Sequence, residues 1–358
     1  MLYLSRIRRD YSAKMNNNIT LKDIARVLNL SVSTVSKSLK DSYEIGKETK
    51  KRVLEYAMEH HYTPNRMAKG LKEGKTRSIG VVVCSIDNTF VAQTLDGIYK
   101  VGADKDYQFI IMQSKESYAQ EKKGIELLYS GGIDGLLISP SCETTDFSYL
   151  LGLQKSGLPI VLFDRVTDQL NTHKVMADNF QGAYDATAHL IARGYKNIAH
   201  LNTNIKLSIA VDRLYGYKKA LEDHGLNYRP ELVRYCDYSN ADILHEDMVA
   251  AIKDYMAMDN RPDAIFTATD QITTRCLGLL IKMGYRVPLD IALIGFTNTE
   301  LADVLNPALS TVQQPAFEIG KVAAEKLIAL IESKRPVEDD EYETIILDTQ
   351  VHVRASSL

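Results

Sequence analysis

Apolar residues recur with a helical period in one stretch of the chain and in short strand-like runs through the rest. Between positions 20 and 60, Leu21, Ile24, Ala25 and Leu28 fall on one helical face. Thr20-Leu-Lys-Asp23 places a hydroxyl three residues ahead of a carboxylate, a variant of the capping box that opens a helix. Asn29 tolerates the left-handed conformation and marks a turn, and Ser31 caps a second helix that carries Val35 and Leu39 inward. That helix turns Val32, Ser33, Ser36, Lys37 and Lys40 outward. A third helix, about Lys47 to His60, brings Val53, Leu54, Ala57 and Met58 to one stripe. The three-residue turn and the small Ala25 at the crossing give helix-turn-helix geometry, whose short polar and cationic side chains suit base edges and phosphates. A three-helix bundle with a polar face is the alternative.

From Ser78 onward, β-rich runs alternate with helical stretches. The spacing predicts strands over 79–84, 107–112, 134–139 and 159–163, with helices near 91–104, 116–130 and 146–156. The register then restarts, with helices over 180–193, 212–223, 241–258 and 271–283 around strands at 197–201, 231–236, 263–268 and 291–296. Repeated βα units imply parallel sheets covered on both faces, and two such lobes enclose a cleft beside the carboxyl ends of their strands. A strand at 309–314, a helix at 316–332 and a strand at 343–353 cross back through both lobes. The lobes divide at about 78–177 plus 305–338 and 178–304 plus 339–358. The fold class expected is an N-terminal all-α helix-turn-helix head over residues 15–63, joined by a short helix at 64–73 to an α/β body of two doubly wound parallel-sheet lobes over 74–358. The segment Pro64 to Leu71 is too short to hold a helix alone in water and is coil when free.

Charge sharpens this division. The net charge is −3, but residues 1–77 carry 17 Lys and Arg against 8 Asp and Glu, a net +9, which leaves −12 on the remainder. A basic head on an acidic body suits a polyanion met at one end only. Cys84, Cys142, Cys236 and Cys276 form no CxxC or Cys/His cluster and read as reduced thiols of a cytoplasmic protein, with no metal or cofactor expected. The longest apolar runs are far short of the roughly 20 residues a membrane span needs. Residues 1–14 carry arginines where a secretory leader would be apolar, lack helical periodicity and precede a second methionine, Met15; they read as a disordered extension or an overextended start. There is no GxSxG, no GxxxxGK[ST] and no GxGxxG after a strand, so the chain does not read as an enzyme.

The run Thr20-Leu-Lys-Asp-Ile-Ala25, then Ser31-Val-Ser-Thr-Val-Ser-Lys37, then Thr63-Pro-Asn65, Ala68 and Leu71 resembles the DNA-binding head of the lactose/galactose repressor (LacI/GalR) family, and the likeness continues to the end of the chain. The resemblance implies a transcriptional regulator, in the first instance a repressor of carbohydrate-utilisation genes, with an activator or a sugar-binding transport-type protein as alternatives. It implies that Thr20, Val32, Ser33, Thr34, Ser36, Lys37 and Lys40 meet DNA. It further implies that the hinge residues Asn65, Ala68, Lys69, Leu71 and Lys72 fold on the operator, with Leu71 wedged into the minor groove. Lys37 departs from the arginine or histidine frequent there, and Lys40 from a frequent asparagine.

By the same resemblance the body is like a periplasmic sugar-binding protein, holding a sugar or sugar-acid effector. Phe90 and Tyr238 are assigned as faces that stack a sugar ring, Arg213 as the principal donor, and Asp164, Asp270, Thr297 and Gln314 as further polar contacts. Phe90 and Tyr238 also read as core or rim aromatics, Asp270 as a helix cap and Arg213 as half of a surface ion pair. After Gly295-Phe296 the family commonly carries an aspartate; here Thr297 and Asn298 follow, which favours an anionic ligand over a neutral one. A homodimer on a pseudo-palindromic double-stranded operator is the implied assembly.

Overall fold

The computed structural model describes residues 19–62, 75–203, 207–237, 240–333 and 341–358. The chain divides into two compact units, residues 1–76 and 77–358.

In the first unit, α1 (Leu21–Leu28) opens with the expected capping box: the Thr20 side chain accepts from the Asp23 backbone N–H and the Asp23 carboxylate accepts from that of Thr20. Asn29 ends it in the left-handed region at φ 55°. Ser31 then caps α2 (Val32–Leu39) by accepting from Thr34 N–H. With α3 (Lys47–Glu59), these helices bury Ile24, Ala25, Val35, Val53 and Ala57 in one small core. Leu54 and Met58, expected on the buried stripe, are exposed, Met58 by 74%. Each lies one residue, about 100° of helix rotation, past Val53 or Ala57. Tyr56 and Tyr62 flank the core instead.

The second unit holds two six-stranded sheets among the described residues. The first lobe starts with β1 (Ser78–Val83), α4 (Thr89–Lys105), β2 (Gln108–Gln113) and α5 (Tyr118–Ser130). It continues with β3 (Gly135–Ile138), α6 (Ser148–Lys155), β4 (Ile160–Phe163) and β5 (Lys174–Ala177). The second lobe starts with α7 (Asn179–Ala192), β6 (Ile198–Asn202), α8 (Ser208–Asp223), β7 (Val233–Tyr235) and α9 (Ala241–Ala257). It continues with β8 (Ala264–Thr267), α10 (Asp270–Lys282), β9 (Ala292–Phe296) and β10 (Ser310–Gln313). The chain then returns to the first lobe with α11 (Ala316–Glu332) and β11 (Thr344–Leu347), and ends in the second with β12 (Gln350–His352). Sheet orders are β11-β5-β4-β3-β1-β2 and β12-β10-β9-β8-β6-β7, parallel throughout except that β12 runs antiparallel to β10. Fully buried runs such as Leu136–Ile138 and Ile160–Val161 are the mark of parallel strands packed on both faces.

Three crossings join the lobes, at Asp178, at Gln314-Pro315 and at Asp348-Thr349. The last two fall later than the expected breaks near 305 and 339. β10 extends the second sheet beside β9, and only then does α11 bury Ile319, Ala323, Leu327 and Ile331 in the first lobe. β11 still pairs with β5 of the first sheet, so the expected single strand over 343–353 is two strands, one per lobe. β5 itself was unmarked by pattern: its run Lys174-Val-Met-Ala177 is too short to show a period.

Candidate functional site

The head exposes one side of α2, the helix that the family resemblance assigns to DNA. Val32, Ser33, Lys37 and Lys40 are exposed, and Thr34 and Ser36 half-buried. The Ser31 hydroxyl lies 2.8 Å from both the Ser33 and Thr34 hydroxyls, so the start of α2 carries a linked hydroxyl cluster on the exposed side. Lys37 Nζ is ion-paired with Glu44, in the turn after α2. Thr20 is committed to its capping box, donating to Asp23 Oδ2 at 2.7 Å. The hinge residues Asn65, Ala68, Lys69, Leu71 and Lys72 lie outside the described residues, as does Tyr238.

In the body, the carboxyl ends of both sheets face one another. Asn298, just past β9, donates from Nδ2 to Gln93 Oε1 on α4 at 2.8 Å, and Cys142, past β3, packs against Leu207, Ile209 and Ala210 at the start of α8. Between these contacts lies the floor of the second lobe. Arg213 on α8 is 2% exposed there. Its Nε and Nη2 donate to Asn179 Oδ1 at 2.9 and 2.6 Å, Nη1 donates to the Ala268 carbonyl, and the guanidinium lies 3.7 Å over the Phe296 ring. Three hydrogen bonds and a stacked ring face thus help fix a permanent cation at the ends of β5, β8 and β9.

Around it, four buried polar atoms have no hydrogen-bond partner among the described residues: Thr203 Oγ1 and Ser208 Oγ beside β6, Thr269 Oγ1 after β8 and Gln314 Nε2 after β10. Leaving a buried polar group unsatisfied costs about 1–3 kcal/mol, so such groups are ordinarily met by water or a ligand. Asp270, first residue of α10, accepts from the Thr297 hydroxyl, and burial holds its carboxyl above the usual range against that bond and one from the Asn298 backbone. Thr269, not Asp270, is the N-cap residue of α10, and its side chain makes no capping bond. Gln314 is held by two bonds to Asn298, from its N–H to Oδ1 at 2.9 Å and from Nδ2 to its carbonyl at 2.8 Å.

The first lobe adds a rigid wall. Arg165 makes a bidentate bridge to Glu116, 2.8 Å on each arm, both residues buried. Burial raises the Glu116 carboxyl, but the Arg165 charge and hydrogen bonds more than offset it and leave it lowered. Asp164, at φ 60°, accepts from the Ser139 hydroxyl at 3.2 Å, and its carboxyl is raised by burial. Phe90, expected as a stacking face, is 6% exposed and belongs to the apolar core of the first lobe, because Asn88 caps α4 and turns Phe90 inward. Pattern reading missed Thr203, Ser208, Gln93 and Glu116. Only the position of each beside a strand end or in a first helical turn was available to flag it.

A helix-turn-helix head and a two-lobed body with a polar cleft define a DNA-binding transcriptional regulator. Residues 20–65 match the family described as bacterial regulatory proteins, lacI family, and residues 187–357 match a periplasmic binding protein-like domain. The ribose operon repressor of Haemophilus influenzae is 32% identical over 337 residues, 94% of this chain and 98% of that protein. The transcriptional regulator CelR, solved in complex with cellobiose, is 26% identical with a TM-score of 0.68, covering 94% of this chain and 99% of that one. The lac repressor dimer bound to operator shares the fold, with a TM-score of 0.81 at 21% identity over 96% of this chain and 100% of that one. The chain belongs to the lacI family of bacterial regulatory proteins.

Proposed function

We propose that the protein represses carbohydrate-utilisation genes in the cytoplasm and is controlled by a small sugar or sugar-acid effector bound in the cleft. The observation that carries this reading is that the buried polar groups of Thr203, Ser208, Thr269 and Gln314 have no partner among the described residues, in the same lobe region that holds the buried cation of Arg213. Hydroxyls and amides spread over several strand ends suit a ligand that itself bears many hydroxyls. Asp164, Asp270 and Thr297 complete the polar lining, and Arg213 favours an effector that also carries a carboxylate. The ribose repressor and the cellobiose-bound regulator among its relatives support a carbohydrate.

The active species is a homodimer on a pseudo-palindromic operator, since one α2 reads only a few base pairs and two-fold symmetry doubles the contact. β2 supports this: it is an edge strand of its sheet with Ile110 and Ile111 exposed.

Calorimetric titration of the full chain with neutral sugars, uronates and sugar phosphates tests the reading. Binding by one of these classes that is lost in Arg213→Ala is the expected result. Silence across the panel from a chain that still binds DNA overturns the effector assignment.

A further inference from the structure

The turn that follows α2 holds an acidic side chain against the reading face. Glu44 ion-pairs with Lys37 Nζ, each side chain being 47% exposed. The turn itself is anchored. Ser42 N–H donates to the Lys37 carbonyl at 3.0 Å, Ile45 N–H to the Ser42 carbonyl at 3.2 Å, and Lys50 Nζ grips both the Asp41 carboxylate and carbonyl, at 2.7 and 3.2 Å. Glu44 is therefore presented at a fixed place beside the exposed end of α2.

A carboxylate is an unfavourable choice for a face that approaches phosphates. It neutralises the lysine and is repelled by the DNA backbone whatever the sequence. Its presence makes chemical sense where a base edge offers a donor. The major-groove edge of a G·C pair sets the guanine O6 and N7 acceptors beside the cytosine N4 donor; lysine pairs with the former and glutamate with the latter. Lys37 and Glu44 side by side are the complement of that edge. We propose that Glu44 is a specificity-determining residue. Together with Lys37 it reads one G·C pair in each half-site, and elsewhere it withholds the Lys37 charge from phosphate and so suppresses binding to other DNA. This rests on the reading of α2 as the DNA-contacting helix.

The test is in vitro selection by the full chain from a randomised duplex library, together with salt titrations on a random-sequence duplex, for wild type, Glu44→Ala, Glu44→Gln and Lys37→Ala/Glu44→Ala. Wild type is expected to enrich G·C at one position per half-site. Both single variants lose that preference, bind random duplex several-fold more tightly and steepen the salt slope by about 0.9 per head, one further phosphate contact. With Lys37→Ala measured alongside as the reference, adding Glu44→Ala to it leaves the slope unchanged. Selection profiles and slopes shared by wild type and both single variants overturn the proposal alone. A wild-type chain that enriches no sequence overturns the reading of α2 and the proposal with it.

Discussion

Asn298 of the second lobe and Gln93 of the first are joined side chain to side chain at 2.8 Å, and Asn298 at the same time pairs with the backbone of Gln314 where the chain crosses between lobes. One amide therefore ties the spacing of the lobes to the position of a residue that lines the cleft. Through this amide the proposed effector would act on the spacing of the lobes.

The two partners are not equivalent. Gln93→Ala leaves Asn298 Nδ2 bonded to the Gln314 carbonyl and removes only the link between lobes, a loss expected to stay below about 1 kcal/mol. Asn298→Ala strands the buried Gln314 N–H and is expected to cost about 1–3 kcal/mol. Urea unfolding of the two variants measures the difference; equal losses would show that the Gln314 bonds carry no stability of their own.

Gly97 on α4 and Gly320 on α11 let these helices cross backbone to backbone: a Cβ at Gly97 overlaps the Phe317 carbonyl, and one at Gly320 overlaps the Thr94 carbonyl. Either Gly→Ala change is expected to destabilise the first lobe by about 1–3 kcal/mol or more, as overpacking does. Gly152, exposed in α6 with nothing within 4 Å of an added Cβ, gives the opposite sign, a gain of about 0.5–1 kcal/mol in Gly152→Ala. Thermal unfolding of the three variants tests the contrast.

His200 is fully buried, stacked against both Tyr217 and Phe266, and burial pushes its imidazole down to about 3 from an ordinary 6.5. Below pH 6.5 the unfolded chain therefore binds a proton that the folded chain refuses, so this group's contribution falls as the pH drops from 6.5 towards 3. The loss is about 1.4 kcal/mol per pH unit within that window. His200→Phe keeps the stack and removes the titration. Its stability relative to wild type is expected to improve by about 2 kcal/mol between pH 7 and 5, measured by denaturant unfolding at each pH. A constant difference would contradict a neutral buried His200.

In the head, Thr20→Ala removes half of a capping box and is expected to cost about 1 kcal/mol. Asn29 sits at φ 55°, so Asn29→Ala is expected to destabilise by about 1–2 kcal/mol and Asn29→Gly to be nearly neutral. Hydrogen exchange over residues 21–59 reports these losses locally.

Features set by near neighbours were legible in the sequence: the Thr20–Asp23 box, the left-handed Asn29 and the βα alternation. What long-range packing decides was not. Arg213 owes its fixed place to Asn179, 34 positions away, and Glu116 meets Arg165 across 49. Thr203 and Ser208 stand out because nothing among the described residues satisfies them, which no periodicity records. The crossing points moved because a strand's sheet is chosen by its partners, as β10 shows beside β9.

The most direct measurement is operator affinity of the full chain, by fluorescence anisotropy on a selected duplex, with and without the effector found by calorimetry. The expected result is a change of about 5–150-fold, the same factor in effector affinity when operator is bound, and no response in Arg213→Ala, which still binds operator. An effector that occupies the cleft and leaves operator affinity unchanged would contradict it.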